Sequence, residues 1–126
     1  MKRDLNLIRN ILLETEAAPS DTLTVYAIAD KYHVDPDLVA YQLDLLAEAG
    51  FLKVRGLTIA WTPDTRKYDD ERINRLTLEG HNYLDAIRND TVWQNTLAEL
   101  RNIGISVSFE IVKEIASNYL KRMLGL

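Results

Sequence analysis

His81, Asp85 and Arg88 follow one another at spacings of four and three, which on a helix sets an imidazole, a carboxylate and a guanidinium along one face. A carboxylate so placed can orient an imidazole for proton transfer or metal binding. Neither a nucleophile nor a third metal ligand stands at a recognisable spacing, so the trio reads as a surface or interhelical hydrogen-bond network. Glu14 with Glu16, and Asp69-Asp70-Glu71, are the chain's grouped carboxylates, and both fall at an expected helix end or in a loop, where they read as solvated. His33 reads as a turn residue. Phosphate-cradling glycine loops, a Gly-x-Ser-x-Gly elbow and a His-Glu-x-x-His helix are missing. With no cysteine there is no thiol nucleophile, disulfide or thiolate metal site. The expectation is a non-enzyme without metal or cofactor.

Arg66, Lys67, Arg72 and Arg75, with Tyr68 among them, are the side chains best suited to touching a phosphate backbone. Cations on a loop tip are also ordinary surface. These stand out because the chain as a whole is acidic, with a net charge of −4 and a pI near 5.1. Residues 1–50 hold four basic and nine acidic groups, residues 51–76 six and four, and residues 77–126 five and six. Nucleic-acid binders carry a basic patch or a high pI. Only the middle stretch has a positive bias.

The elements that position these groups follow from apolar periodicity. Leu5, Ile8 and Leu12, widened by Leu7 and Ile11, predict an amphipathic helix over 4–16, stopped by the run Ala17 to Asp21 with Pro19. Thr24 can cap a second helix whose Val25, Ile28 and Ala29 face inward. Tyr32-His33-Val34-Asp35 turns the chain into a third, with Pro36 at its first position, Val39, Leu43 and Leu46 as its core stripe and Gly50 as its C-cap. Phe51, Leu52 and Val54 start a strand expected to resume through Leu57, Ile59 and Trp61 after a bulge or kink at Gly56. Residues 63–71 are polar and turn-rich, and Ile73 and Leu76 mark the returning strand. Thr77 caps a fourth helix through Leu84 and Ile87 to Arg88, and Asp90 is the expected cap of a fifth carrying Trp93, Leu97 and Leu100. Gly104 breaks that pattern, and Ser106 is expected to open a last helix reaching Leu124.

Two short helices joined by a turn and followed by a hairpin define a winged helix-turn-helix: mainly α with a small β-hairpin, an α+β arrangement with extra terminal helices. The expected organisation is one domain over 1–126, with its core at 22–88 and a helical extension at 90–126. A hydrophobic content of 47% and a charged content of 27% over 126 residues suit one globular domain. No apolar stretch reaches the ~18 residues of a membrane span, and the start at Met1-Lys2-Arg3-Asp4 lacks a signal-peptide core, so a cytoplasmic protein is expected.

The third helix is then the one expected to read DNA, yet from Asp35 to Ala49 it carries Asp35, Asp37, Asp44 and Glu48 and no Lys or Arg. A phosphate surface would repel it. Leu38, Tyr41 and Leu45 form a second stripe on this helix, rotated away from its core face. Three readings stay open: the first or last helix covers them, they form an apolar patch for another protein or a second copy, or Tyr41 and Gln42 contact DNA. The last helix shows a wide apolar face in Phe109, Val112, Ala116, Tyr119 and Met123, broadened by Ile111, Ile115 and Leu120. Folding back onto the first helix would cover it, as would a homodimer, which is the expected arrangement.

Met1-Lys2-Arg3-Asp4 with Leu7-Ile8-Arg9, Arg75-Leu76-Thr77 with Gly80-His81, the run Leu84 to Trp93 and the closing helix Phe109 to Leu126 together resemble a bacterial and prophage family, domain of unknown function family 2513. The resemblance spans nearly the whole chain. It implies a winged-helix-like fold and an association with mobile elements, and supplies no catalytic residues; where this chain has Tyr41-Gln42, relatives carry Tyr-His. The functional expectation is a winged-helix regulator that meets double-stranded DNA with Arg66, Lys67, Tyr68, Arg72 and Arg75. The alternative is a protein-interaction module, antitoxin-like or a phage adaptor, docking a basic partner on Leu38, Tyr41, Gln42 and Leu45.

Overall fold

The computed structural model describes residues 1–104 and 107–126, so Ser106, the expected start of the last helix, lies outside the described residues. The elements run α1 (Leu5–Ala17), α2 (Val25–Tyr32), α3 (Pro36–Glu48), β1 (Leu52–Gly56), β2 (Glu71–Leu76), α4 (Leu78–Ile87), α5 (Asp90–Ile103) and α6 (Phe109–Met123). They divide into two compact units, Met1–His81 and Asn82–Leu126, the boundary falling inside α4.

Each helix of the first unit starts where a side chain can satisfy its free N–H groups. Asp4 accepts from the Leu7 N–H at 3.0 Å, Thr24 from Ala27 at 3.0 Å and Asp35 from Asp37 at 2.7 Å. Pro36 follows Asp35 at the position where a missing N–H loses nothing. α2 ends with His33 in the left-handed region at φ 54°, which lets α3 start one turn later. Gly50, at φ 78°, ends α3 and lets the Phe51 N–H return to the Leu46 carbonyl at 2.9 Å. The stripes so aligned pack together: Leu7, Ile8, Ile11, Leu12, Val25, Ile28, Val39, Leu43, Leu46, Leu52, Ile73 and Leu76 are each at most 4% exposed. Burying one such side chain stabilises the fold by roughly 1.5–3 kcal/mol.

β1 and β2 pair antiparallel, with Leu52 opposite Leu76, Lys53 opposite Arg75, Val54 opposite Ile73 and Arg55 opposite Arg72. Leu23, in the loop before α2, adds a single bridge to Ile73, whose N–H donates to the Leu23 carbonyl at 2.9 Å. The hairpin departs from expectation in two ways. The irregularity lies between Lys53 and Val54, not at Gly56, and β1 does not resume through Leu57, Ile59 and Trp61. Leu57 closes the ladder by donating to the Asp70 carbonyl at 2.6 Å. Residues 57–70 then form a loop drawn toward α2 and α3 by side chains the apolar alternation does not report, leaving Trp61 64% exposed.

Glu14 is not a solvated helix-end carboxylate. It accepts from the Tyr32 hydroxyl at 2.7 Å and from the Lys31 ammonium, tying α1 to α2. The Lys31 hydrogen bond holds Glu14 below the ordinary glutamate range. Burial, and then the Glu14 hydrogen bond and charge, push the Tyr32 phenol up to about 12. Because this folded-state value lies above the unfolded one, the stability it contributes is complete below pH ~10, the ordinary tyrosine value, and is lost as pH rises through about 12. In a tyrosinate absorbance titration Tyr32→Phe is expected to delete a transition near 12. An unchanged high-pH limb would contradict the assignment.

In the second unit Asn89, not Asp90, caps α5, accepting from the Val92 N–H at 3.0 Å. Asn89 has the extended backbone of a cap, and Asp90 is the first helical residue, where its charge still suits the helix N-terminus. Ser108 caps α6. α5 and α6 pack on each other, the buried residues including Val92, Trp93, Leu100, Val112 and Ala116, and Tyr83 meets Phe109 edge to face at 5.5 Å. Two members of the stripe expected to form a dimer interface are thereby corrected: Val112 and Ala116 are already closed off within one chain. Phe109 and Tyr119 are half-buried, while Met123 is 50% exposed.

Candidate nucleic-acid interface

α3 presents a negative surface. Asp44 and Glu48 are exposed, and Asp37, Leu38, Tyr41 and Leu45 are half-buried. Between this face and the hairpin runs an open groove of about 410 Å³, lined by Asp37, Ala40, Tyr41, Asp44, Lys67, Tyr68, Glu71 and Met1. Three of its walls are carboxylates. Partial burial, and then the neighbouring charges of Asp70 and Asp44, raise the Glu71 carboxyl above its ordinary value.

Gln42 does not belong to that face. It is fully buried; its side-chain oxygen accepts from the Asp4 N–H at 2.9 Å and its amide donates to the Lys2 carbonyl at 3.0 Å. Both ends of the amide hold residues 2–4 against α3, which removes Gln42 from any contact with DNA or a partner. Gln42 sits one residue before the core residue Leu43, so the N-terminal segment must close over it to satisfy its polar atoms.

The loop cations are engaged inside the chain. The Arg66 guanidinium lies 3.8 Å from the centre of the Tyr26 ring and 3.2 Å from an Asp69 carboxylate oxygen. Lys67 approaches Asp37 at 3.5 Å, and the Tyr68 hydroxyl donates to the same Asp37 oxygen. The Tyr68 N–H donates to the Tyr26 hydroxyl at 3.1 Å. The Tyr68 hydrogen bond, and then the Lys67 charge, hold the Asp37 carboxyl below the ordinary aspartate range. Asp69 is lowered likewise, first by the Arg66 backbone N–H and then by its side chain.

The strands carry a second set of cations, of which only Arg72 and Arg75 are among the residues expected from sequence to meet phosphate. Cross-strand partners share a face, and the register puts Lys53 against Arg75 and Arg55 against Arg72. Leu52, Ile73 and Leu76 point into the core, so these four project from the opposite face; Lys53, Arg55 and Arg75 are exposed and Arg72 is half-buried. Arg55 pairs with Asp21 at 2.9 Å. Arg72 donates to the Asp69 and Glu71 carbonyls, and Arg75 to the Leu76 carbonyl at 2.9 Å. Among the described residues neither Lys53 nor Arg75 has a carboxylate partner. Lys53 and Arg55 were legible as an alternating pair; only the register shows that they face Arg75 and Arg72.

The His81–Asp85–Arg88 face resolves into separate contacts. His81 Nδ1 lies 3.9 Å from a Glu16 oxygen on α1, and Asp85 pairs with Arg88 at 3.1 Å. Among the described residues no group of three or more His, Cys, Asp or Glu is arranged to hold a metal ion, and no helix is long and apolar enough to cross a membrane.

A helix-turn-helix made by α2 and α3, followed by a two-stranded hairpin with a long loop, is a winged helix. The solved structure of the transcriptional regulator SlyA shares this fold, with a TM-score of 0.50 and 24% identity over 94% of this chain and 72% of that one. The chain belongs to the family described as "Hypothetical protein (DUF2513)", which matches residues 2–106. A relative from Haemophilus influenzae strain Rd, described as an uncharacterized protein, is 30% identical over 126 residues, covering 99% of this chain and 100% of that one.

Proposed function

We propose that this protein is a non-enzymatic, regulator-type DNA-binding protein that meets duplex phosphates with the outer face of its hairpin and not with α3. The observation that carries this reading is the pairing of like charges at Lys53 and Arg75, which have no carboxylate partner among the described residues, beside Arg55 and Arg72 on the same face. Like charges directly opposite one another destabilise a sheet. A phosphate laid across them relieves that repulsion, whereas the Asp37, Asp44 and Glu48 face of α3 would repel the same backbone. The winged-helix likeness to SlyA supports the class of activity.

Fluorescence anisotropy with a short duplex tests it. Each phosphate neutralised contributes a slope of about −0.9 to log K against log salt, so four cations predict roughly −3 to −4. The double variant Lys53→Ala/Arg75→Ala should be shallower by about 1.8, because two phosphate contacts are lost, with its melting temperature nearly unchanged. Absence of wild-type binding at low salt, or an unaltered slope in the variant, would contradict the reading.

The acidic groove favours a second reading, in which a cationic segment of another protein docks against Asp37, Asp44, Glu71 and Tyr41. Replacing the duplex by an arginine-rich peptide in the same titration separates the two. For a homodimer, the apolar side chains still exposed along α6 and its end are Ile111, Met123, Leu124 and Leu126, and these are where a second copy would meet it.

A further inference from the structure

Resting on the reading of the hairpin as the DNA-facing element, we propose that the loop between β1 and β2 is restrained by an internal phosphate mimic: Asp37 engages the donors of Lys67 and Tyr68 that a DNA phosphate would otherwise take, so full binding exchanges a carboxylate for a phosphate. One Asp37 oxygen receives both the Tyr68 hydroxyl and the Lys67 ammonium, a convergence of donors on an anion such as a backbone phosphate makes. The neighbouring donors are treated alike, Arg66 being held by Asp69 and stacked on Tyr26, whose hydroxyl also receives the Tyr68 N–H. The loop is thus fastened to α2 and α3 by the very groups that would reach the backbone. Its fastenings are exposed, with Lys67 71% and Asp37 49% accessible at the side chain, and exposed ion pairs are individually weak. A polyanion can therefore displace them.

The latch differs from simple charge repulsion, and three variants separate the two. Asp37→Asn leaves the phosphate no carboxylate to displace from Lys67 and should tighten duplex binding on the order of tenfold at ~50 mM salt. Asp44→Asn removes an equal charge from the same helix outside the clasp and should tighten it by no more than about twofold. Tyr68→Phe removes the same donor from the clasp and from the phosphate without altering charge, so it should leave duplex affinity within about twofold of the wild type, unlike Asp37→Asn. Asp35 caps α3 through its own side chain, so Asp37→Asn retains that cap, and circular dichroism melts check all three. If Asp37→Asn and Asp44→Asn behave identically while the wild type binds, the latch is wrong and the DNA reading stands. If neither the wild type nor any variant binds duplex at low salt, both fall.

Discussion

Gly80→Ala is expected to lower the melting temperature by ~10 °C or more, the result of roughly 3 kcal/mol or greater destabilisation. A Cβ at this position would stand 1.8 Å from the Phe51 carbonyl oxygen and 2.8 Å from its carbon. Both sides of that clash are backbone, so no side chain can turn away to relieve it. The Phe51 carbonyl also receives the Thr77 N–H at 3.0 Å, and the Thr77 hydroxyl, which caps α4 by accepting from the Gly80 N–H at 3.0 Å, donates to the Gly50 carbonyl. The first turn of α4 is thereby bolted to the chain reversal between α3 and β1, and moving Gly80 outward would break the join. Gly56→Ala is the control, since its Cβ would meet nothing within 4 Å. A Gly80→Ala melt within 2 °C or so of the control would refute the close approach.

Gln42→Ala should cost roughly 2–4 kcal/mol, combining a buried cavity with two stranded backbone groups. The Asp4 N–H and Lys2 carbonyl lose partners at 2.9 and 3.0 Å, and residues 2–4 lose their hold on α3. Amide exchange at Asp4 should accelerate in parallel with the loss of stability. Gln42→Glu should fare no better, because it keeps an acceptor for Asp4 but loses the donor to Lys2 and buries a charge. Neither change should alter the duplex affinity of the folded fraction. A loss below ~0.5 kcal/mol would show that the N-terminal segment is not anchored there.

The elements were legible wherever their signals are local. Thr24, Asp35 with Pro36, Gly50 and Thr77 each mark a helix end through a hydrogen bond or dihedral formed within a few residues, and each acts as its type implies. What escaped depends on partners far along the chain. Glu14 reads as solvated until Tyr32 arrives from α2, and Gln42 reads as a surface residue until Asp4 closes over it. β1 stops at Gly56 even though Leu57, Ile59 and Trp61 keep the alternation, because Arg66, Lys67 and Tyr68 find Tyr26 and Asp37 on the helices. For the same reason the loop cations, conspicuous in the sequence, are internally satisfied, whereas the outward cations Lys53 and Arg75 become a pair only through the strand register. The apolar face of α6 shows how periodicity names a buried surface without naming what buries it: Val112 and Ala116 are covered within the chain itself.

The most direct test of the proposed DNA-facing surface is a backbone amide chemical-shift titration of the labelled protein with a short duplex at low salt. Shifts are expected to concentrate in residues 52–56 and 71–76, with Asp37 and residues 66–69 responding as the clasp opens and those of 38–48 small by comparison. Perturbations centred on α3, with the hairpin silent, would contradict the account at its foundation.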